Sequence, residues 1–318
     1  MVVHSYMSDV ELLPLEGKVP ILDTESIERD ALSNIDSFRD QLAGWGFMAL
    51  EVPGIGKQVT RLYETFTAAL ASEDPNLSDF AADKIPQATP GGNHGFFRFG
   101  SEIPRLAQGK ADPKEFLHIS GAMLDDQPAG AADLLETFSD LEVPSRHMFE
   151  LGFRVAVALG DVVREILPGH APKLGLSRHS SILRIIHYRD RHQREVLAHE
   201  HSGIQMLGVQ FPPSEGGLQY VLNDGTWVEP VIWGTDVLLC NIGRMLSEAS
   251  GRRVRPSTHR VHRSEMAQSE RRWSSVVFVH PNHEDEQWVI TEDNDVRMLG
   301  VNWGNFVHKG LHELGLSD

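Results

Sequence analysis

The spacing of hydrophobic residues changes part-way along the chain. In the first half, apolar residues recur at helical spacing, which predicts amphipathic helices at about 25–44, 59–70 and 144–167. Further along, apolar residues fall in short runs separated by turn residues, at 181–188, 195–201, 204–211, 217–222, 236–241 and 273–280. Helices followed by strands predict an α+β chain whose second part is a sandwich or jelly roll.

Composition narrows the classes of partner. The chain has 318 residues with 41% hydrophobic content, enough for a sizeable core, and its net charge of −16 argues against nucleic acid or an anionic membrane as partner. The N-terminus lacks the pattern of a signal peptide, and no apolar stretch is long enough to cross a bilayer. The single cysteine, Cys240, allows no internal disulfide. These features predict a soluble, cytoplasmic protein, and they leave the oligomeric state open.

Three histidines are the candidate metal ligands. His199 and His201 are separated by one residue on a predicted strand, so both side chains are expected on the same face. His259 follows on a distant predicted strand and can supply a third imidazole. Three ligands on one side of a metal leave the other side open for substrate or O₂. The pattern alone is weak, since the chain contains 16 histidines.

The surrounding motifs resemble the isopenicillin N synthase-like family of Fe(II), 2-oxoglutarate-dependent oxygenases. They occur in the family's order: VPILD at 19–23, WGF at 45–47, DPKEF at 112–116, AHEHSG at 198–203, GGLQ at 216–219, NIG at 241–243, HRV at 259–261 and RWS at 272–274. The resemblance implies a double-stranded β-helix, or jelly-roll, core with flanking helices that are mostly N-terminal. It also implies an N-terminal helical region at 1–150 and a jelly-roll oxygenase core with a C-terminal segment at 151–318.

The chain departs from the family at one metal position. The family uses two histidines and an aspartate, whereas this chain has His201 where the aspartate stands. His201 can complete a three-histidine site, leave the metal with two protein ligands, or mark a site that has lost its metal. We favour the three-histidine site, because imidazole is a good ligand for Fe(II). Neutral imidazole in place of a carboxylate adds one unit of positive charge to such a site.

Arg272, Ser274 and Tyr188 are the candidate ligands of a dicarboxylate. Arg272 and Ser274 are two residues apart on a predicted strand, so a guanidinium and a hydroxyl face the same way, an arrangement suited to a carboxylate. The resemblance implies that these two residues and Tyr188 bind 2-oxoglutarate. The family's Asn-x-Tyr motif has Ile186 instead of asparagine here.

The expected function is oxidation of a C–H bond of a small molecule in secondary metabolism, by hydroxylation, desaturation or ring modification. The expected cofactors are Fe(II), 2-oxoglutarate as co-substrate, and O₂, and Phe96, Arg98 and Phe278 are the candidate substrate contacts. One alternative is a cupin-like three-histidine dioxygenase that does not use 2-oxoglutarate. Another is a non-catalytic small-molecule binder.

Overall fold

The computed structural model describes residues 10–85, 94–103, 111–126, 131–168, 171–189, 195–263, 269–314 and 316. The helices are α1 (Ile27–Ser33), α2 (Ile35–Gly44), α3 (Ile55–Ala71), α4 (Gly121–Asp126), α5 (Ala131–Thr137), α6 (Ser139–Ile166), α7 (Arg244–Ala249) and α8 (Trp303–Glu313). The strands are β1 (Val10–Pro14), β2 (Phe47–Glu51), β3 (Gly95–Phe97), β4 (Lys114–Ser120), β5 (Leu176–Tyr188), β6 (Val196–His201), β7 (Leu207–Gln210), β8 (Leu218–Val221), β9 (Trp227–Val231), β10 (Val237–Ile242), β11 (His259–His262), β12 (Arg272–Pro281), β13 (Glu286–Ile290) and β14 (Val296–Asn302).

Two sheets form the body of the fold. The major sheet has the strand order β2-β10-β7-β12-β5-β4-β3, and the minor sheet has the order β1-β9-β8-β11-β6. Strands of both sheets share one apolar cluster, which includes Phe116 and Tyr188 from the major sheet and Leu197, Leu218 and Val261 from the minor sheet. The sheets therefore enclose a common interior, which we call the barrel interior. The predicted α+β class with a jelly-roll core is confirmed.

Helices cover the outer face of the major sheet. The 28-residue α6 buries Val155 and Leu159 in a second apolar cluster, which also holds Val277 of β12 and Leu183 of β5. Side chains alternate along β12, so Val277 faces the helices while its neighbours face the barrel interior. Along β12, side chains that pack against the helices therefore alternate with side chains that face the barrel interior.

Several predicted element boundaries differ from the structure. The predicted helix at 25–44 is two helices, because Asn34 ends α1, begins α2 and donates its side-chain amide to the Asp30 carbonyl. The predicted helix at 144–167 begins earlier, at Ser139, since Pro144 is accommodated near the start of α6. The stretch 84–110 is rich in Gly, Pro and polar residues, a composition that predicts a long loop. It contains β3 where it is described, and the rest of the stretch lies largely outside the described residues.

Gly243 closes the turn after β10 by a close approach of two backbones. A Cβ atom at this position would lie 1.7 Å from the carbonyl oxygen of Gln205. Only glycine fits there, which explains the glycine of the NIG motif in physical terms. The contact ties the end of β10 to the turn that follows β6. Among the described residues, no helix is long and apolar enough to cross a membrane.

Candidate active site

His201 on β6 and His259 on β11 are direct neighbours across the minor sheet. Antiparallel pairing places the two residues opposite each other, and their ring centroids lie 4.4 Å apart. Tyr220 on β8 flanks the pair, with its ring centroid 5.3 Å from that of His259. The Tyr220 hydroxyl donates to Asn241 Oδ1 at 2.7 Å, which fixes the phenol ring. The structure thus brings together two of the three predicted metal ligands.

His199 is held by a buried carboxylate. Its Nδ1 lies 2.7 Å from Asp112 Oδ1, and its backbone N–H donates to the same oxygen at 3.3 Å. A bulge in β6 places the four residues from Ala198 to His201 opposite only three residues of β11, from His259 to Val261. The regular alternation assumed for the His-x-His segment is therefore interrupted, because a bulge changes the direction of the side chains beside it. Glu200 is exposed.

All three imidazoles are hydrogen-bonded through Nδ1. Nδ1 of His201 donates to the His199 carbonyl at 2.7 Å, and Nδ1 of His259 donates to the Ser257 carbonyl at 3.0 Å. Because a carbonyl only accepts, Nδ1 carries the hydrogen in both rings and Nε2 keeps its lone pair. Burial, followed by the charge of Lys114, lowers the pKa of His201 to about 4. Burial, followed by His201, lowers the pKa of His259 to about 3, so both rings are neutral near pH 7.

The donor chemistry of these histidines fits a divalent metal. Two neutral imidazoles lie side by side with Nε2 lone pairs, and the third ring is oriented by a carboxylate, as is common for metal-binding histidines. Among the residues that the structure describes, however, no group of three His, Cys, Asp or Glu side chains is arranged so that it could hold a metal ion. The set His199, His201 and His259 therefore stays a prediction.

Arg272, Ser274 and Tyr188 lie together in the barrel interior. Arg272 is fully buried, Tyr188 pairs with it across the two strands, and the guanidinium carbon lies 5.3 Å from the centre of the tyrosine ring. Nε of Arg272 donates to the carbonyls of Glu215 and Gly216 at 3.2 and 2.9 Å, and both Nη atoms are buried. Gln210 Nε2 donates to Ser274 Oγ at 3.0 Å. Burial raises the pKa of Tyr188 against the opposing charges of Lys114 and Arg272, so its hydroxyl remains a donor.

A buried network of charged side chains extends from His199 across the barrel interior. Nζ of Lys114 lies 3.0 Å from Asp112 Oδ2 and 2.6 Å from Glu102 Oε1, and Arg184 Nη1 lies 2.8 Å from Glu102 Oε2. Nε of Arg184 donates to His118 Nε2 at 2.6 Å. Burial would raise the pKa of Glu102, but the charges of Lys114 and Arg184 outweigh it and hold that pKa well below its usual range.

Most of this network is not predictable from the sequence. Asp112 and Lys114 belong to the DPKEF motif, but no sequence pattern indicates a role for Glu102, Arg184 or His118. These residues come from β4, β5 and the segment before β4, so no spacing along the chain indicates that they meet. Only the high density of charge before and within the otherwise apolar β4 could have suggested buried ion pairs.

The structure separates the three predicted substrate contacts. Phe278 faces the barrel interior and lines a cavity of about 70 Å³ beside His201. Phe96 packs in the helix-side cluster, because the alternation of β3 places Phe97 in the barrel interior, stacked 4.6 Å from Phe116. Arg98 is exposed and donates to the Ser78 carbonyl at 3.3 Å. Phe96 and Arg98 thus lie away from this cavity.

Comparison with protein families matches residues 179–281 to the 2OG-Fe(II) oxygenase superfamily. The matched segment contains seven predicted site residues, namely Tyr188, His199, His201, His259, Arg272, Ser274 and Phe278. The match confirms the predicted enzyme class, a 2-oxoglutarate/Fe(II)-dependent dioxygenase, and its dependence on Fe(II), 2-oxoglutarate and O₂. No curated protein matches the chain significantly.

Solved structures share the fold over nearly the whole chain. A full-length Neurospora crassa protein crystallised with alpha-KG is 19% identical with a TM-score of 0.69, covering 92% of this chain and 96% of its own. A Caulobacter crescentus protein assigned to the 2OG-Fe(II) oxygenase family is 20% identical with a TM-score of 0.68, covering 93% and 99%. The dioxygenase for auxin oxidation from rice is 16% identical with a TM-score of 0.66, covering 94% and 97%. At these identities the likeness shows the fold alone.

Proposed function

We propose that this member of the 2OG-Fe(II) oxygenase superfamily oxidises a C–H bond of a small molecule, with His199, His201 and His259 as its metal ligands. The observation that carries the proposal is the fully buried Arg272, which lies with Tyr188 in the interior of the same barrel that presents His201 and His259. A buried guanidinium is suited to an anionic ligand, and the distal carboxylate of 2-oxoglutarate is one.

The protein's side chains position the reactants. His201 and His259 offer Nε2 because backbone carbonyls hold their Nδ1 hydrogens, and Asp112 orients His199 in the same way. Arg272, with the hydroxyls of Ser274 and Tyr188, would hold the far carboxylate of 2-oxoglutarate and so orient the co-substrate. Bound Fe(II) supplies the activation of O₂ that is coupled to conversion of 2-oxoglutarate into succinate.

Ligands of the fold neighbours support a small organic substrate. The Neurospora crassa protein was crystallised with alpha-KG together with thymine or 5-formyluracil, and JOX2 with 2OG, Fe and JA. The described part of the barrel interior has a cavity of about 70 Å³ beside His201, which supports a small organic substrate. We further propose a role in secondary metabolism and membership of the isopenicillin N synthase-like subfamily, which the order of the motifs supports.

We also propose the division into a helical region at 1–150 and an oxygenase core at 151–318, which the start of the matched segment at residue 179 supports. The long α6 crosses this boundary, so the two regions pack as one body. The single buried cysteine, Cys240, supports a reducing compartment such as the cytoplasm.

The two alternatives, a cupin-like dioxygenase and a non-catalytic binder, differ from the proposed function in the reagents that they consume. A cupin-like dioxygenase that does not use 2-oxoglutarate has no use for the buried Arg272 beside Ser274, which counts against it. A non-catalytic binder would keep the cavity without turnover.

The deciding experiment measures iron content and succinate formation in protein reconstituted anaerobically with Fe(II) and then exposed to O₂ and 2-oxoglutarate. We expect bound iron and succinate formation that requires both reagents, and a large loss of iron in His259→Ala. O₂ consumption without 2-oxoglutarate would favour the cupin-like alternative, and absence of both iron and succinate would favour the binder.

A further inference from the structure

The carboxamide of Gln205 is a buried polar group beside the cavity next to His201. Gln205 lies in the turn between β6 and β7, lines that cavity and is 2% exposed. Among the residues that the structure describes, its side chain has no hydrogen-bond partner. Because a carboxamide offers an acceptor oxygen and an NH₂ donor, both functions are left for a ligand.

Gly208 makes room for this carboxamide in the barrel interior. Its neighbours on β7, Leu207 and Val209, belong to the helix-side cluster, so a side chain at position 208 would face the barrel interior. A Cβ atom there would lie 2.7 Å from Nε2 of Gln205. Gly208 pairs with Phe278 of β12, which lines the same cavity. The carboxamide therefore occupies the interior beside the cavity wall, in the space that the absent side chain leaves.

The charged side chains at this cavity are paired with one another. Glu102 and Arg184 line it, and Arg184 Nη1 lies 2.8 Å from Glu102 Oε2. The other oxygen of Glu102 lies 2.6 Å from Nζ of Lys114, and that Nζ lies 3.0 Å from Asp112 Oδ2. Each carboxylate of this group has a cation in contact, and each cation has a carboxylate. An uncharged ligand leaves these pairs intact and adds no buried charge.

The other polar side chains at the cavity, among the described residues, are imidazoles and a hydroxyl. They belong to His118, His201, His280, His283 and Ser180. The nitrogens of an imidazole point in different directions, and a hydroxyl has one polar atom. The carboxamide of Gln205 instead presents a donor and an acceptor side by side in one plane. It is therefore suited to a ligand with the complementary pair.

We propose that the substrate is an uncharged molecule with an amide edge, an N–H beside a C=O, and that the carboxamide of Gln205 binds this edge by two hydrogen bonds. Glutamine binds the donor–acceptor edge of adenine in the same way. The inference rests on the proposed function and names the substrate class of that same site. The cavity of about 70 Å³ accommodates about five to seven non-hydrogen atoms, if each needs the roughly 10–15 Å³ that a water molecule requires. The cyclic amide 2-pyrrolidone has this size and serves as the probe.

The test compares three small ligands by ligand-observed NMR titration without O₂, on metal-free protein and on protein loaded with Fe(II) and 2-oxoglutarate. Cyclopentanone keeps the ring and the C=O but lacks the N–H, and isobutyrate has a similar size but carries a charge. We expect 2-pyrrolidone to bind about tenfold more tightly than either, because cyclopentanone leaves a buried group of Gln205 unpaired. Equal binding of 2-pyrrolidone and cyclopentanone, or tighter binding of isobutyrate, overturns the inference.

A separate titration of 2-oxoglutarate into the Fe(II)-loaded protein distinguishes this failure from failure of the proposed function. Binding of 2-oxoglutarate without a preference for 2-pyrrolidone contradicts the inference alone. A preference for 2-pyrrolidone without any binding of 2-oxoglutarate contradicts the proposed function and leaves the recognition by Gln205 standing.

Two variants locate the recognition. Gln205→Leu removes the donor and the acceptor and is expected to abolish the preference for 2-pyrrolidone over cyclopentanone. Gln58→Leu is the matched control, because Gln58 is exposed on α3, and it should keep the preference. Gly208→Ala displaces only the end of a flexible side chain, so it should fold and also lose the preference. A preference that survives in folded Gly208→Ala places the ligand elsewhere and contradicts the proposal, even if Gln205→Leu fails to fold.

Discussion

Replacing Arg272 by alanine tests the co-substrate site most directly. The side chain is fully buried, and its partner across the strands is Tyr188. Removal takes away the cationic contact to the carboxylate and leaves the hydroxyls of Tyr188 and Ser274 in place. We expect 2-oxoglutarate still to bind, but more weakly.

The magnitude follows from the type of bond that is lost. A hydrogen bond to a charged group contributes about 1.5–3 kcal/mol, which corresponds to roughly ten- to a hundred-fold in dissociation constant. The variant also loses the bonds from Nε to the Glu215 and Gly216 carbonyls, so its free energy of unfolding should fall as well. Arg272→Lys keeps the charge but not the planar fork, and its affinity for 2-oxoglutarate should lie between those of the parent and Arg272→Ala.

Calorimetric titration of 2-oxoglutarate into Fe(II)-loaded protein without O₂ gives the dissociation constant directly. Arg271→Ala is the matched control, since Arg271 precedes Arg272 in the chain and is exposed. Circular dichroism and urea unfolding show whether each variant is folded at the assay temperature. If folded Arg272→Ala binds 2-oxoglutarate as tightly as the parent does, the assignment of this subsite is wrong.

Three further predictions concern His201, Asp112 and His280. His201→Asp should not raise 2-oxoglutarate turnover, because a carboxylate there faces the His199 carbonyl that now accepts from His201; a many-fold gain in succinate formation would indicate a decayed aspartate site. Asp112→Ala should weaken Fe(II) binding about 10–100-fold in a metal titration, because the Asp112 carboxylate orients His199. Asp112→Asn keeps an oxygen acceptor and should bind Fe(II) more nearly as the parent does. Equal Fe(II) affinities of the parent and Asp112→Ala would mean that Asp112 only holds Lys114. Burial lowers the pKa of His280 to about 3 from an ordinary value of 6.5, so the unfolded chain takes up the proton first and stability falls as the pH drops below about 6.5. His280→Gln should therefore lose about 2 kcal/mol less stability than the parent between about pH 7 and pH 5 in urea unfolding, and identical losses would contradict this account.

The sequence predicted the features that depend on the local alternation of a strand. Arg272 and Ser274 were expected on one face of a strand, and both are buried in the barrel interior, whereas Val277 faces the helices. The jelly-roll core was likewise predictable, because its strands are marked by apolar runs and turn residues. These features are set by residues that are close together in the sequence, so the spacing of apolar residues predicts them.

Features set by contacts between distant segments were not predictable in this way. The pairing of His201 with His259 depends on strand register, and the bulge beside His199 leaves no mark in the spacing of apolar residues. The link from Glu102 through Lys114 to Asp112 joins residues whose charges would ordinarily indicate solvent exposure. Their burial is stable only because each has an opposite charge within reach, which the linear sequence does not show.

The three imidazoles differ in how mutation can alter them. His201 and His259 donate to main-chain carbonyls, which every amino acid carries, so no substitution at the accepting position removes these acceptors. His199 alone donates to a side chain, that of Asp112. A single codon therefore controls the basicity and orientation of one ring, while the other two are set by the backbone. If natural variation or laboratory evolution adjusts the reactivity of this centre without replacing a histidine, position 112 is where the change is expected.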